Sequence, residues 1–158
     1  MQKRIVPKAE QQPPQLPDEG WLDLDCLADV EITSEDPSFP IESALLPKSG
    51  SGWRAAQAGE QTIRLVFTSP RQIRRIWLEF VEPLTPRTQQ FVLRWSADDG
   101  KPFREIVRQQ WNFSPHGATR ETEDYRVDLS DVSVIELNLI PDTSGGDARA
   151  SLARLRLA

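Results

Sequence analysis

The most informative segment for the fold is residues 91–103, with the sequence FVLRWSADDGKPF. Apolar side chains alternate with others over Phe91–Trp95, and a period of two places them on one face of an extended strand. The turn sequence Asp98-Asp99-Gly100 tolerates positive φ angles, so it suits a tight connection between antiparallel strands. We therefore predict a β-hairpin whose second strand covers Phe103–Gln110.

The same alternation recurs on both sides of this hairpin. Four further segments have it: Ile63–Phe67, Ile76–Phe80, Tyr125–Leu129 and Ile135–Leu139. Leu27–Thr33 is predicted as another strand, Ser69-Pro70 as a turn between the first two segments, and residues 114–117 and 141–146 as loops. Strands about ten residues apart with no long helix between them are typical of an all-β protein, an antiparallel sandwich or barrel.

The C-terminal segment, residues 147–157, gives conflicting signals. Asp147 is a good helix N-cap, and the Ala, Leu and Arg residues after it favour a helix. Ala153, Leu155 and Leu157 nevertheless alternate as the residues of a strand do. Local propensity is a weak guide where tertiary contacts decide, so the residues alone leave both structures open.

The composition excludes several classes of function. One Cys and one His among 158 residues argue against both a disulfide framework and a Cys/His zinc site. The net charge is -5, whereas a nucleic-acid binder normally has a basic excess. The longest aliphatic run, Ala44-Leu45-Leu46, is far too short to span a membrane. We therefore expect no nucleic acid, no membrane and no cofactor as partners.

Residues 1–20 differ in composition from the rest of the chain. They contain four Pro and four Gln, and their charges cancel. Such a segment buries too little apolar area to order itself, so we predict a flexible tail followed by one domain over residues 21–158. The N-terminal charges are not followed by the apolar stretch of a secretory signal. We expect a cytoplasmic protein in which Cys26 is a buried thiol.

The order of these elements resembles the discoidin, or coagulation-factor type C, domain. Four segments carry the resemblance: Asp29–Ser34, Ser51–Phe67, Phe91–Phe103 and Ser151–Leu157. The third is the most specific, because it has a Ser-x-Asp-x-Gly turn between aromatic residues. The family shares the galactose-binding-like jelly roll with many carbohydrate-binding modules. The resemblance implies a discoidin-like antiparallel β-sandwich of about eight strands, whose last strand is Ser151–Leu157.

Two features of that family are missing from this sequence. Many sugar-binding members hold a structural calcium with loop carbonyls and an acidic residue in the final strand, where this chain has Arg154. The loop of residues 46–52 contains no Asp, and calcium prefers carboxylate and other oxygen ligands. The two-cysteine staple that joins the ends of the domain is also absent. We therefore expect no bound metal.

One run combines groups that suit sugar recognition. Trp111–Gly117 contains two aromatic residues, an amide and the only histidine. Aromatic rings stack on the C–H faces of sugars, while amide, imidazole and guanidinium groups bind the hydroxyls. The alternative is structural, because Trp111 and Phe113 alternate and both would then point into the core. The resemblance adds an Arg in the loop after the Trp77 strand. The candidate ligand contacts are Trp111, Asn112, His116, Arg87 and Arg120.

No catalytic residues are predicted. The pair Asp98 and Asp99 belongs to the hairpin turn, and Glu121 and Glu123 are expected to precede a solvent-exposed strand edge. The chain also has no motif for a nucleophile or a phosphate-binding loop. These observations favour a binding protein over an enzyme.

The expected function is that of a non-catalytic binding module, with carbohydrate as the ligand that the resemblance implies. The alternative is a cytoplasmic protein–protein interaction or assembly module. It would use either the Pro-rich tail or an arginine-rich sheet face with residues such as Arg94, Arg108 and Arg126. Acidic residues between these arginines predict cross-strand ion pairs. No feature of the sequence indicates an oligomeric state.

Overall fold

A computed structural model describes residues 2–4, 20–47, 50–97 and 102–158. Within these ranges the helices are two single turns, α1 (Leu24–Leu27) and α2 (Glu42–Leu45). The strands are β1 (Ala28–Ile32), β2 (Trp53–Ala58), β3 (Gln61–Val81), β4 (Arg87–Ser96), β5 (Arg104–Phe113), β6 (Arg120–Ile140), β7 (Arg149–Leu152) and β8 (Arg154–Leu157). The prediction of an all-β chain with about eight antiparallel strands is confirmed.

Strands β3 and β6 are each 21 residues long and take part in both layers of the sandwich. The first part of β3 pairs with β1 and with the end of β6, whereas its second part pairs with β8 and with the start of β6. The register shifts between Val66 and Arg75, opposite the part of β6 where Asp131 has a φ of 57°. Both strands bend there and pass from one layer to the other.

The predicted turn at Ser69-Pro70 is therefore wrong. Ile63–Phe67 and Ile76–Phe80 are two parts of β3, and the alternating segments on either side of Asp131 are two parts of β6. Proline cannot donate to a strand ladder and is tolerated where the pairing is irregular. Pro70 is exposed at the bend, so a turn-like sequence occurs here inside a strand.

The alternating residues form one apolar core between the layers. Phe80 of β3 and Phe91 of β4 are fully buried, and their rings stack with centroids 5.4 Å apart although they belong to different layers. Trp53 and Trp77 are each 1% exposed, so both indole rings are buried. Each fully buried side chain of this size contributes about 1.5–3 kcal/mol. Apolar burial therefore holds the two layers together.

The C-terminal segment forms two strands. β7 pairs with β2 in a two-stranded ribbon, and β8 pairs with the second part of β3. Ala153 separates them, and its N–H donates to the carbonyl of Glu79 at 2.9 Å. Leu152, Leu155 and Leu157 are buried. Burial of these leucines outweighs the helix propensity of the segment, and the strand prediction is confirmed with one added break.

Three other expectations have mixed outcomes. Cys26 is exposed rather than buried, because α1 is a single turn that directs Leu24 into the core. The predicted turn at residues 98–100 lies outside the described residues, but its flanking strands β4 and β5 pair antiparallel as expected. The predicted tail lies outside them too, except for residues 2–4 and 20.

Arg156 fastens α2 to strand β8. It is 7% exposed and donates to the carbonyls of Ala44 at 2.7 Å and of Leu46 at 2.9 Å, near the end of α2.

We predict that Arg156→Met lowers the free energy of unfolding by about 2–3 kcal/mol, because it leaves these carbonyls without their charged donor. Arg154→Met, which changes an exposed arginine of the same strand, should cost less than about 1 kcal/mol. Urea unfolding of both variants measures the difference, and equal losses would contradict the proposed role.

Candidate functional site

Arg87, at the start of β4, lies among protein groups. Its side chain has no exposed area, its Nε donates to Glu82 at 2.9 Å, and its Nη1 donates to the carbonyl of Pro141 at 2.8 Å and to Gln89 Oε1 at 3.2 Å. The guanidinium carbon is 4.8 Å from the ring centroid of Phe113. Arg87 therefore joins the loop before β4 to the loop after β6. A direct ligand contact by Arg87 would require this network to open.

The other four candidates differ in exposure and in their bonding partners. Trp111 is half-buried against the core, whereas Asn112 is exposed and its side-chain oxygen accepts a 2.7 Å hydrogen bond from β4. His116 is exposed in the loop between β5 and β6. Arg120 is half-exposed and forms an ion pair with Glu79. A joint ligand-binding role for these residues stays a prediction.

The loops at one end of the sandwich enclose a cavity of about 360 Å³, here called the end cavity. Arg54 of β2 lines one side, and the β3–β4 loop contributes residues 82, 84 and 85. The β6–β7 loop contributes Asp142 and residues 145–148, and β7 contributes Arg149. Sites for small molecules are typically concave and about 300–1,000 Å³ in volume. The end cavity is therefore the candidate ligand site.

The β6–β7 loop is fixed in shape by its own sequence. Gly145-Gly146 has φ angles of 85° and 91°, in the left-handed region that favours glycine. The Asp142 carboxylate accepts hydrogen bonds from the Ser144 N–H at 3.1 Å and the Ser144 hydroxyl at 2.7 Å, which lower the pKa of Asp142. The Thr143 N–H donates to the carbonyl of Thr88 at 2.8 Å. This wall of the end cavity is thus attached to β4.

The charged groups of the end cavity differ in whether they form an ion pair with another side chain. Glu82 is bound to Arg87, as described above. Arg54, Asp147 and Arg149 are exposed, and within the described part of the chain none of them forms an ion pair. Two guanidinium groups and one carboxylate are therefore available to hydrogen-bond a ligand.

A smaller cavity of about 180 Å³ adjoins the end cavity and shares Arg54 with it. The half-buried ring of Phe39 lines this second cavity, and the Arg54 guanidinium carbon lies 5.1 Å from its centroid. On the other side of Arg54, the Leu84 side chain is 80% exposed at the end cavity. Apolar groups thus stand beside the charged groups of both cavities.

A buried polar cluster lies behind the end cavity, between β4 and β6. Glu121 has no exposed surface, and its Oε1 accepts a 3.2 Å hydrogen bond from Gln89. Burial, together with the neighbouring Glu123, raises the pKa of Glu121 to about 8. The expectation that Glu121 lies at a solvent-exposed edge is therefore wrong. Register pairs it with Phe80, which faces the core.

The predicted arginine-rich face is ion-paired across strands at one of its named residues, Arg94. Glu136 of β6 is the register partner of Arg64 on one side and Arg94 on the other, and it binds them at 2.7 Å and 3.3 Å. The predicted cross-strand ion pairs are confirmed at this position. Their guanidinium groups already have a carboxylate partner, in contrast to those of the end cavity.

The described ranges lack two further features. No three His, Cys, Asp or Glu side chains of these residues are grouped so that they could hold a metal ion. Neither of the two short helices has the length or the apolar character needed to cross a membrane.

Sequence comparison does not identify the chain: neither a protein-family model nor a curated protein sequence matches it. Solved structures do match. One is a family 32 carbohydrate-binding module of AlyQ in complex with 4,5-unsaturated mannuronic acid, with a TM-score of 0.63, 15% identity, and coverage of 89% of this chain and 98% of that one.

Two further structural matches agree with the first. A family 32 module from Clostridium perfringens, in complex with GalNAc-β-1,3-galactose, has a TM-score of 0.60 and 19% identity over 87% of this chain and 99% of that one. A pectin-binding carbohydrate-binding module has a TM-score of 0.55 and 16% identity over 83% and 89% of the two chains. The chain therefore has the discoidin-like, galactose-binding-like sandwich fold of these modules, as the resemblance implied.

Proposed function

We propose that this chain is a non-catalytic carbohydrate-binding module whose ligand site is the end cavity. The observation that carries the proposal is the combination of unpaired guanidinium and carboxylate groups with an exposed apolar side chain in one concave site. Sugars present hydroxyl groups around a ring with apolar C–H faces, so they need both kinds of contact.

Each side chain has a distinct role in this proposal. Arg54 and Arg149 donate hydrogen bonds to ligand oxygens, and Asp147 accepts from a hydroxyl. Leu84 covers a C–H face of the sugar. Arg87 does not touch the ligand but holds Glu82 and Pro141, and with them the two loops that form the cavity walls.

The structural neighbours support the proposal. The matched structures are themselves carbohydrate-binding modules, and two of them are complexes with saccharides. The present chain covers 89–99% of the length of each of these modules.

Substitution of the cavity arginines tests the proposal. We expect Arg54→Ala and Arg149→Ala each to weaken saccharide binding by about tenfold or more, because each removes a charge-assisted hydrogen bond. Arg126→Ala, which changes an exposed arginine of β6 outside the cavity, should leave the affinity within about twofold. Calorimetric titration with a panel of neutral and acidic oligosaccharides gives these affinities. No binding to any saccharide at millimolar concentration would refute the proposed function.

The same panel distinguishes the end cavity from the residues predicted by sequence. Trp111→Phe keeps an apolar ring against the core and removes an indole N–H that has no hydrogen-bond partner among the described residues. If the end cavity is the site, this variant should bind saccharides with unchanged affinity. A large loss in Trp111→Phe, with none in Arg149→Ala, would move the site to the β5–β6 loop.

A further inference from the structure

The end cavity contains two arginines that have no ion-pair partner among the described residues. Glu82 is ion-paired with the Arg87 guanidinium at 2.9 Å, and its second carboxylate oxygen accepts from the N–H of Leu84 at 3.3 Å. Asp142 accepts two hydrogen bonds from Ser144 at Oδ1. These donors are neutral, so Asp142 keeps its negative charge while that oxygen is bound within the loop.

Three charged groups of the cavity have neither an ion pair nor a side-chain hydrogen bond among the described residues. Arg54 and Arg149 are the two cations, and Asp147 is the anion. Arg54 is also held in place, because its guanidinium lies over the Phe39 ring and its backbone N–H donates to the Phe39 carbonyl at 3.2 Å. A guanidinium held over an aromatic ring keeps its N–H groups free at its edge.

We infer that the end cavity selects acidic saccharides, with a sugar carboxylate bound by Arg54 and Arg149. A planar guanidinium matches a carboxylate with two parallel hydrogen bonds, which a hydroxyl cannot provide. Asp147 then accepts from a ring hydroxyl and faces away from the sugar carboxylate, since like charges in contact are unfavourable. This inference rests on the proposed function, because it specifies the ligand class of the same site.

Matched ligand pairs test the inference. Tri-galacturonate and tri-mannuronate are each compared by calorimetry with their fully methyl-esterified forms, which keep the rings and hydroxyls and lose the charge. Galactotriose and mannotriose are the neutral controls. In at least one series we expect the free acid to bind about tenfold or more tightly than its ester, with a preference that weakens as salt is raised.

Variants of Arg54 and Arg149 test whether these two arginines cause the preference for the free acid. In Arg54→Gln and in Arg149→Gln the ratio of acid to ester affinity should fall by about fivefold or more, whereas in Arg126→Gln it should stay as in the parent protein. All three positions are exposed, so folding is expected to be retained, and circular dichroism verifies this. Asp147→Asn should increase the preference for the acid, because it removes a negative charge from the cavity.

The outcomes separate the inference from the proposed function. Equal affinity for acids, esters and neutral sugars overturns the acidic preference and leaves the carbohydrate site in place. An acidic preference that persists in both arginine variants also overturns the inference, because another group must then bind the carboxylate. Absence of binding to all six saccharides rejects the proposed function together with the inference.

Discussion

We expect Glu121→Gln to remove the pH dependence that the buried Glu121 carboxyl group gives to the stability of this protein. Glu121 is buried between β4 and β6, and its pKa in the folded chain is raised from 4.5 to about 8, first by burial and then by Glu123. The folded protein therefore holds the Glu121 proton more tightly than the unfolded chain does. The resulting stabilisation is fully present below about pH 4.5 and is lost as the pH rises through about 8.

The size of this effect follows from the difference in pKa. Each pH unit in that window lowers the free energy of unfolding by up to about 1.4 kcal/mol, which totals on the order of 5 kcal/mol. Glutamine has nearly the same shape and carries no charge at any pH. At pH 9 we therefore expect Glu121→Gln to be more stable than the parent protein by about 4–5 kcal/mol, and near pH 4.5 the two should differ little.

Urea unfolding from pH 4 to pH 9 measures both curves. Glu105→Gln is the control, since it removes an exposed carboxylate of β5 that is paired with Arg108 on the surface. This control should follow the pH dependence of the parent protein. If Glu121→Gln does the same, Glu121 is not the buried proton-binding group described above. Glu123→Gln gives a second check, because the loss of its charge should lower the pKa of Glu121 and flatten the curve.

Gly52→Ala is expected to be the most damaging small substitution near the candidate site. Gly52 precedes β2 and has a φ of 83°, which alanine adopts only with strain. A Cβ atom at this position would also lie 2.5 Å from the carbonyl oxygen of Leu152 and 2.8 Å from the Cα of Ala153. Both are backbone atoms, so the β2–β7 ribbon would have to separate. The expected loss is about 3 kcal/mol or more.

Gly59→Ala isolates the contribution of the close approach. Gly59 has a similar φ of 89°, but no atom lies within 4 Å of an added Cβ. This variant should lose only about 1–2 kcal/mol, the cost of the strained backbone. Arg54 and Arg149 stand on the two strands of the ribbon, so Gly52→Ala should also lose saccharide affinity while Gly59→Ala keeps most of it. Equal losses of stability of the two variants in thermal unfolding would show that the contact of the added Cβ at Gly52 with the backbone of Leu152 and Ala153 does not destabilise the protein.

The fold could be predicted because several strands of the sandwich have apolar residues at alternate positions. Apolar residues every second position mark β3, β4 and β6, and they are the residues that form the core. The bends at Pro70 and Asp131 could not be predicted in the same way. A turn and a bulge use the same residue types, and only the pairing partners on each side show that the strand continues.

The candidate site was less predictable because its residues come from segments with weak patterns. Arg54 belongs to β2, whose sequence Trp53–Ala58 is rich in alanine and shows no apolar alternation that would mark a strand. The β6–β7 loop carried a usable signal, since Gly145-Gly146 lies between Asp142 and Asp147. Arg87 was chosen by resemblance, and its sequence neighbours do not reveal that it is buried. Its partners Gln89 and Pro141 become neighbours only through the pairing of β4 with β6.

The most direct test of the central claim is to locate saccharide binding in the folded chain. Amide ¹H–¹⁵N resonances would be followed during titration with the tightest-binding oligosaccharide of the panel. We predict that the largest shifts occur at Leu84, Gly145, Gly146 and Arg149, around the end cavity, and that Asn112 and His116 are unaffected. Shifts centred on Trp111, Asn112 and His116, with none in the β6–β7 loop, would contradict the assignment of the end cavity as the carbohydrate site.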